Sequence, residues 1–239
     1  MGYKILGISG SPRPNSNTEL MVREALEGAK ETGGVETELV TLSNKRIMQC
    51  SSCFKCAEKK SLCIFKDKDY LGEFYQKWFE ADGIIIGSPV YHLSVPGVLK
   101  NLLDRLGEGV WSIRKNGTVD SGWFCKVGGV MAQGLGTFGG QEYTIQYLIN
   151  HLLLMNCIVV PAENLTVPGV PGSFRDNRVL EPGHIAEYDP KALENARIMG
   201  KRVAEVTKIF KNGVEKIQND LPHEYIEFVL TKEGFKNLY

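Results

Sequence analysis

Five short runs that read as strands alternate with five stretches that read as helices, and this alternation constrains the fold more than any other feature. Tyr3 to Ser9 is an apolar run that opens into a turn-rich loop. Leu20, Met21, Ala25, Leu26 and Ala29 then recur at helical spacing until Gly33-Gly34 stops them. Residues 35–42 alternate as a strand, with Val35, Thr37, Leu39 and Thr41 on one face. Gly83-Ile84-Ile85-Ile86-Gly87 and Val127-Gly128-Gly129-Val130-Met131 are apolar throughout, as expected of strands covered on both faces. Residues 157–160 give a fifth strand, and helices are expected over 67–80, 96–106, 141–155 and 190–210. Strands alternating with helices imply a parallel sheet with helices on both faces. In such a sheet ligands bind beyond the carboxyl ends of the strands. The loops 9–18, 88–95 and 132–141 are therefore where function is expected.

The chain of 239 residues carries 28 basic and 28 acidic side chains. This neutrality argues against nucleic acid or an acidic membrane as partner. No 18 consecutive apolar residues occur, and the N-terminus shows neither a signal-peptide core nor the Ser or Thr that a myristoylation motif wants at Leu6. A cytoplasmic, reducing location is the expectation. There, clustered cysteines read as metal ligands or redox groups rather than as structural disulfides.

The first loop, Ser9 to Glu19, lacks both Walker A and G-x-G-x-x-G patterns. It is rich in hydroxyls, amides and one arginine, and it stands at a helix N-terminus, where free N–H groups and the dipole suit a phosphate. Ser16 with Glu19 fits a capping box. Capping requires only Ser16, which leaves Ser9, Ser11, Arg13, Asn15, Asn17 and Thr18 as further candidate ligand residues. In the second loop Pro89 stiffens the chain, Val90 follows, Tyr91 is a candidate stacking side chain, and His92 is either a ligand contact or an exposed loop histidine. The third loop carries Gln133, Gly134, Thr137, Gly139 and Gly140, and its glycines permit close backbone approach to a ligand. Together the loops suit a phosphorylated planar cofactor. No Ser-His-Asp arrangement is present. The catalytic residue is unassigned, with Tyr91 and His92 as candidates.

Four of the six cysteines fall in one segment, Cys50-x2-Cys53-x2-Cys56-x6-Cys63. Two-residue gaps let three sulfurs converge from one tight loop, and the longer gap brings round a fourth, which favours a single [4Fe–4S] centre. A zinc site and a disulfide or thiol switch stand as alternatives, although zinc ligands usually come as two separated pairs. Cys125 and Cys157 lie in apolar strands and read as core residues. From 45 to 68 the basic residues Lys45, Arg46, Lys55, Lys59, Lys60, Lys66 and Lys68 exceed the acids Glu58 and Asp67 by five. This excess is either a docking patch for an acidic electron carrier or a solvated lysine face.

The segments G-I-S-G-S-P-R-P-N-S-N-T (7–18) and S-P-V-Y-x-x-x-V-P-G-x-L-K-N-L-L-D-R (88–105) resemble the NAD(P)H-dependent FMN reductases of the flavodoxin-like superfamily. G-G-Q-E-x-T-I (139–145) resembles the multimeric flavodoxin-like quinone reductases, and the cysteine motif within this framework is similar to that of the iron–sulfur flavoproteins. The resemblance implies an α/β fold: a flavodoxin-like five-stranded parallel sheet with helices on both faces, plus a cysteine-rich cluster-binding loop. It implies FMN, with Ser11, Arg13, Ser16, Asn17 and Thr18 around the phosphate. Pro89, Val90, Tyr91 and His92 would stand beside the isoalloxazine, with the glycine loop on its other side. It further implies Cys50, Cys53, Cys56 and Cys63 as ligands of a [4Fe–4S] cluster. The expected function is an oxidoreductase that takes electrons from a ferredoxin-like donor, or from NAD(P)H, and passes them to a small-molecule acceptor. A dehydrogenase of a biosynthetic metabolite and a non-catalytic carrier are the other readings. A homo-oligomer, dimer or tetramer, is expected. The organisation expected is one FMN-binding domain over 1–210, containing a cluster loop at 47–66 and an insert at 107–122, followed by an extension over 211–239.

Overall fold

The computed structural model describes residues 2–115, 125–134, 139–162, 171–172 and 189–238. Its strands are β1 (Tyr3–Ser9), β2 (Val35–Thr41), β3 (Gly83–Pro89), β4 (Val127–Gln133) and β5 (Ile158–Val159), all parallel, in the order β2-β1-β3-β4-β5. This is the doubly wound order of flavodoxin-like sheets. The two-residue β6 (Pro171–Gly172) extends the edge beyond β5 by pairing with Ala132 and Gln133 of β4.

Even in the strands with no polar alternation, the two-residue period sorts side chains between two cores. Leu6, Ile8, Ile84, Ile86, Val130 and Ala132 join the core under α3 (Leu71–Glu80), α4 (Gly97–Lys115) and α5 (Gln141–Leu154). Ile5, Ile85, Val127 and Met131 join the core under α1 (Asn17–Glu31) and α6 (Pro190–Lys216). Trp78, Tyr75, Phe74 and Phe79 of α3 are fully buried in the first core. The cysteine segment contributes only the short α2 (Lys55–Lys59).

The strands differ from the sequence expectation by one or two residues at an end, and three helices differ by more. The helix expected over 96–106 runs on through Lys115, because Leu106, Val110 and Ile113 continue its apolar stripe and are buried. The polar composition of this stretch had suggested an insert from 107; residues 116–122 of that insert lie outside the described residues. The helix expected over 190–210 continues to Lys216, with Lys211 and Val214 buried. The helix expected over 67–80 begins at Leu71, after a turn of 3₁₀ helix at Lys66–Lys68.

The segment after α6 shows no simple period because it folds as short helical turns around two aromatic anchors. Phe235 stacks on Phe79 at 5.0 Å and meets the edge of Phe228 at 5.0 Å. Beside them Asp82, at the amino end of β3, pairs with Lys211 at 3.0 Å and Lys232 at 2.8 Å, and accepts from the Lys4 backbone N–H. Lys126 is buried next to this group, donating to the Ala81 carbonyl at 2.5 Å and the Phe79 carbonyl at 3.2 Å. Burial, then the like charges of Lys211 and Lys232, push its ammonium down from the ordinary 10.5 to about 7. Between those values the unfolded chain binds the proton that the folded chain releases, so stability rises with pH across that window. The urea midpoint of the wild type should therefore climb from pH 7 to pH 9. Lys126→Met should lose most of that climb, the remainder belonging to Lys211, whose ammonium is also disfavoured by burial. A flat wild-type midpoint over this range would contradict the assignment.

Candidate functional site

The three loops expected to bind a ligand meet at the carboxyl edge of β1, β3 and β4. At the end of β1 the chain crosses close over β3: Gly10 N–H donates to the Gly87 carbonyl at 2.8 Å, and a Cβ on Gly10 would lie 2.4 Å from Leu99. Ser11 Oγ accepts from the Arg13 backbone N–H at 3.2 Å, and Asn15 takes a left-handed conformation that turns the chain into α1. Ser16 caps α1, its Oγ accepting from Glu19 N–H at 3.2 Å. The reciprocal half of a capping box is not formed, because the Glu19 carboxylate accepts from Arg23 instead. Ser9, Ser11, Ser16, Asn17 and Thr18 are buried around this helix start, whereas Arg13 is half-buried and Asn15 exposed. Ser9 Oγ is a buried hydroxyl with no hydrogen-bond partner among the described residues. An orphaned buried donor at the carboxyl end of β1, in the loop that leads to a helix N-terminus, is a group that a phosphate oxygen would satisfy.

Gln133 ties the loops together. Its backbone carbonyl accepts from Val90 N–H at 2.8 Å, its side-chain oxygen from Thr18 at 3.5 Å, and its amide donates to the Gly134 carbonyl at 2.7 Å. The second loop is a tight turn over 91–94 closed by reciprocal Tyr91–Ser94 backbone bonds, with His92 and Leu93 both left-handed. Pro89 is buried and Val90 half-buried, but Tyr91 and His92 stand exposed at the tip, with no acid or base among the described residues paired to either. Leu93 lies against Gly140, where a Cβ would come within 2.7 Å of it, so the second loop leans on the third. Gly139 N–H donates to Gln141 Oε1 at 2.7 Å. Thr137 lies outside the described residues. Gln141 belongs to the G-G-Q-E-x-T-I segment but was not among the candidate ligand residues; its signal was its place directly after the glycine pair, at the start of α5.

The four clustered cysteines line one cavity of about 350 Å³, whose other walls include Met48, Phe54, Ile64 and Phe65. None is disulfide-bonded. Ser52 and Phe54 are left-handed, which coils the segment tightly enough to bring Cys50, Cys53 and Cys56 to the same space. Among the described residues no three Cys, His, Asp or Glu side chains converge on a single-ion position. Four free thiols lining one cavity, with apolar neighbours and an N–H donor at one sulfur, suit an iron–sulfur cube. That donor, Arg105 reaching Cys63 Sγ at 3.4 Å, was not singled out by the sequence reading. Cys157 is buried in the core and its thiol is pushed up to about 12; Cys125, expected to be a core residue too, is only half-buried, because it precedes β4 rather than lying in it, and burial raises its thiol as well.

The cysteine segment leaves β2 at the ligand edge but then runs back along α4. Asn101 donates to the Ile47 carbonyl at 3.1 Å and Arg105 to the Met48 carbonyl at 3.4 Å. Eight residues separate Gly97 from Arg105, about 12 Å of helix. The cavity shares no lining residue with the three loops. The two candidate cofactor sites are thus distinct within one chain, although their segments start from the same edge.

A 2-1-3-4-5 parallel sheet with three converging loops at its switch point defines a flavodoxin-like protein. The chain matches the NADPH-dependent FMN reductase family over residues 3–171. It is 41% identical over 211 residues to an iron–sulfur flavoprotein of Methanocaldococcus jannaschii, covering 87% of this chain and 99% of that one. To an iron–sulfur flavoprotein of Methanosarcina thermophila it is 34% identical, covering 89% of this chain and all of the relative. The chain belongs to the NADPH-dependent FMN reductase family, in its iron–sulfur flavoprotein branch, and is an FMN-dependent oxidoreductase. Its fold is similar to that of a flavodoxin-class WrbA-like protein from Agrobacterium tumefaciens, with TM-score 0.56 and 18% identity, covering 87% of this chain and 99% of that one. A flavone reductase gives TM-score 0.59 and 21% identity, covering 87% of this chain and 64% of the other. Among the described residues no helix is long and apolar enough to cross a membrane.

Proposed function

We propose that this protein is an FMN- and [4Fe–4S]-dependent oxidoreductase that carries electrons from a ferredoxin-like donor to a small acceptor. The observation that carries this reading is the gathering of Cys50, Cys53, Cys56 and Cys63 around one cavity on a flavodoxin-like frame. When bound, the cluster supplies single electrons and the flavin takes them singly or in pairs. The chain's own part is to hold and insulate. Ser9, Ser11, Arg13, Asn15, Ser16, Asn17 and Thr18 cradle the phosphate. Pro89 to His92 bound one side of the ring, and Gln133, Gly134, Thr137, Gly139 and Gly140 the other. The exposed tip at Tyr91 and His92 leaves the ring accessible to an acceptor, and neither residue is given an acid–base role.

Because the cavity and the loops are distinct within one chain, transfer between them is served by a second copy that brings its cavity to these loops. The half-exposed Trp111 on α4 and the exposed Leu154 on α5, beside Phe54 of the cysteine loop, supply apolar surface for such a homo-oligomer. On the organisation of the chain, residues 1–210 act as the FMN-binding domain and 211–239 as an extension that closes the sheet's amino end.

The cysteine segment and its flanks are basic: Lys45, Arg46, Lys55, Lys59, Lys60 and Lys68 are exposed, and Lys66 pairs with Asp67 at 3.0 Å. Such a surface steers an acidic carrier at a rate that falls with salt. Anaerobically purified protein should contain about four iron atoms per chain beside FMN. Its reduction by a ferredoxin should slow at least tenfold in Lys55→Glu/Lys59→Glu at low salt. Flavin without iron would remove the cluster from the reading, and salt-independent reduction would remove the docking. The family match favours NADPH as the alternative donor, and steady-state turnover with NADPH alone would establish it.

A further inference from the structure

Arg105, the last residue of the 88–105 segment, makes hydrogen bonds away from the flavin loops. It lies on α4 with only 3% of its side chain exposed, paired with Asp69, whose side chain is 0% exposed. One guanidinium nitrogen donates to Asp69 and to the Met48 carbonyl at 3.4 Å; the other donates to the Phe65 carbonyl at 3.1 Å and to Cys63 Sγ at 3.4 Å. Met48 lies two residues before the first cysteine and Phe65 two residues after the last. One planar fork therefore clamps both ends of the cysteine segment. Asp69 closes the clamp by accepting from Met48 N–H at 2.8 Å. Tyr75 fixes the helix from behind, donating to the Arg105 carbonyl at 2.7 Å. Gly109, one turn on, leaves α4 close enough that a Cβ there would come within 3.3 Å of Cys63 N and 2.1 Å of Tyr75 Oη.

An ion pair this deeply buried is weak support for stability, because desolvation offsets most of the attraction. Its geometry has another use. Hydrogen bonds to ligand sulfurs, net charge and solvent exposure set iron–sulfur potentials, and outer partners of metal ligands fix their orientation. We propose that Arg105 is the positioning residue of the cluster: it orients Cys63 as a ligand, and its N–H at that sulfur favours the reduced, more negative state. The proposal rests on the [4Fe–4S] reading of the four cysteines.

The test compares anaerobic holoprotein of the wild type with Arg105→Lys and with the double variant Arg105→Gln/Asp69→Asn, which leaves no unpaired buried charge. Iron, sulfide and FMN are quantified and the cluster is titrated by EPR against potential. The double variant should show a reduced-to-oxidised ratio about tenfold lower at a given potential, which for a one-electron couple is about 59 mV. Arg105→Lys, keeping the charge but losing the fork, should fall between. Loss of iron from a variant that keeps its FMN and circular dichroism also supports the clamp. An intact cluster with unchanged potential in both variants would overturn it. Should neither variant fold, wild-type resonance Raman decides: after growth in D2O the iron–thiolate bands should shift, and unshifted bands overturn the N–H···S contact. If the wild type itself holds no iron and sulfide, the cluster reading fails, an outcome distinct from a cluster whose potential ignores Arg105.

Discussion

Cys56→Ala should empty the protein of most of its iron while leaving the flavin in place. The cysteine cavity is lined by all four clustered thiols, and Cys56 sits on α2, the one regular turn of the segment. A cube takes one terminal thiolate at each iron, so removal of one thiol leaves one iron without its ligand. Iron should fall from about four to below one per chain, with loss of the broad visible absorbance that underlies the flavin bands. FMN should stay near its wild-type content, since no residue of the three loops lines the cavity. The same measurement on Cys157→Ala should show iron unchanged, because that thiol is buried in the core and held protonated. Wild-type iron in Cys56→Ala would refute the four-cysteine assignment. Proportional loss of flavin and iron would refute the separateness of the two sites.

The second large effect is expected far from either site. In α1 and α6 the backbones touch through Gly28 and Gly200: a Cβ on Gly200 would stand 1.7 Å from the Ala25 carbonyl oxygen, and one on Gly28 would stand 2.2 Å from that of Arg197. Around this contact Met21, Val22, Ala25 and Ala29 pack with Ala196, Met199 and Val203, so the helices cannot part without opening the second core. The ion pairs that border it, Arg197 with Glu24 and Glu31 and Lys201 with Glu31 at 2.7 Å, are partly exposed and add little. Gly200→Ala, which by helix propensity alone would stabilise by about 1 kcal/mol, should instead destabilise by about 3 kcal/mol. Gly213→Ala in the same helix meets open space and should stabilise. Denaturant midpoints check both. A Gly200→Ala midpoint at or above that of the wild type would show that the helices slide apart at little cost.

Much of the site was legible because its residues are close in sequence. Ser9 to Thr18, Pro89 to His92 and Cys50 to Cys63 are local patterns, and a strand–loop–helix order is enough to put the first two at one sheet edge. The continuation of α4 through Lys115 was hidden by polar residues on its solvent face. Gln133 was legible as part of a glycine loop but not as the residue that joins three loops. Arg105 read as one letter of a helix, since its partners Met48, Cys63, Phe65 and Asp69 lie 36 to 57 positions away.

The sequence by itself determined the parallel sheet, through the period of its apolar runs, and the grouping of four cysteines in one short segment, through spacing. Only the tertiary structure decided that the cysteine segment turns back along α4, separating its cavity from the flavin loops. It also decided that a buried guanidinium clamps that segment and that the last aromatics close the sheet's amino end. Each of these depends on side chains meeting across long stretches of chain, where packing and the pairing of buried charge, not local periodicity, select the partner.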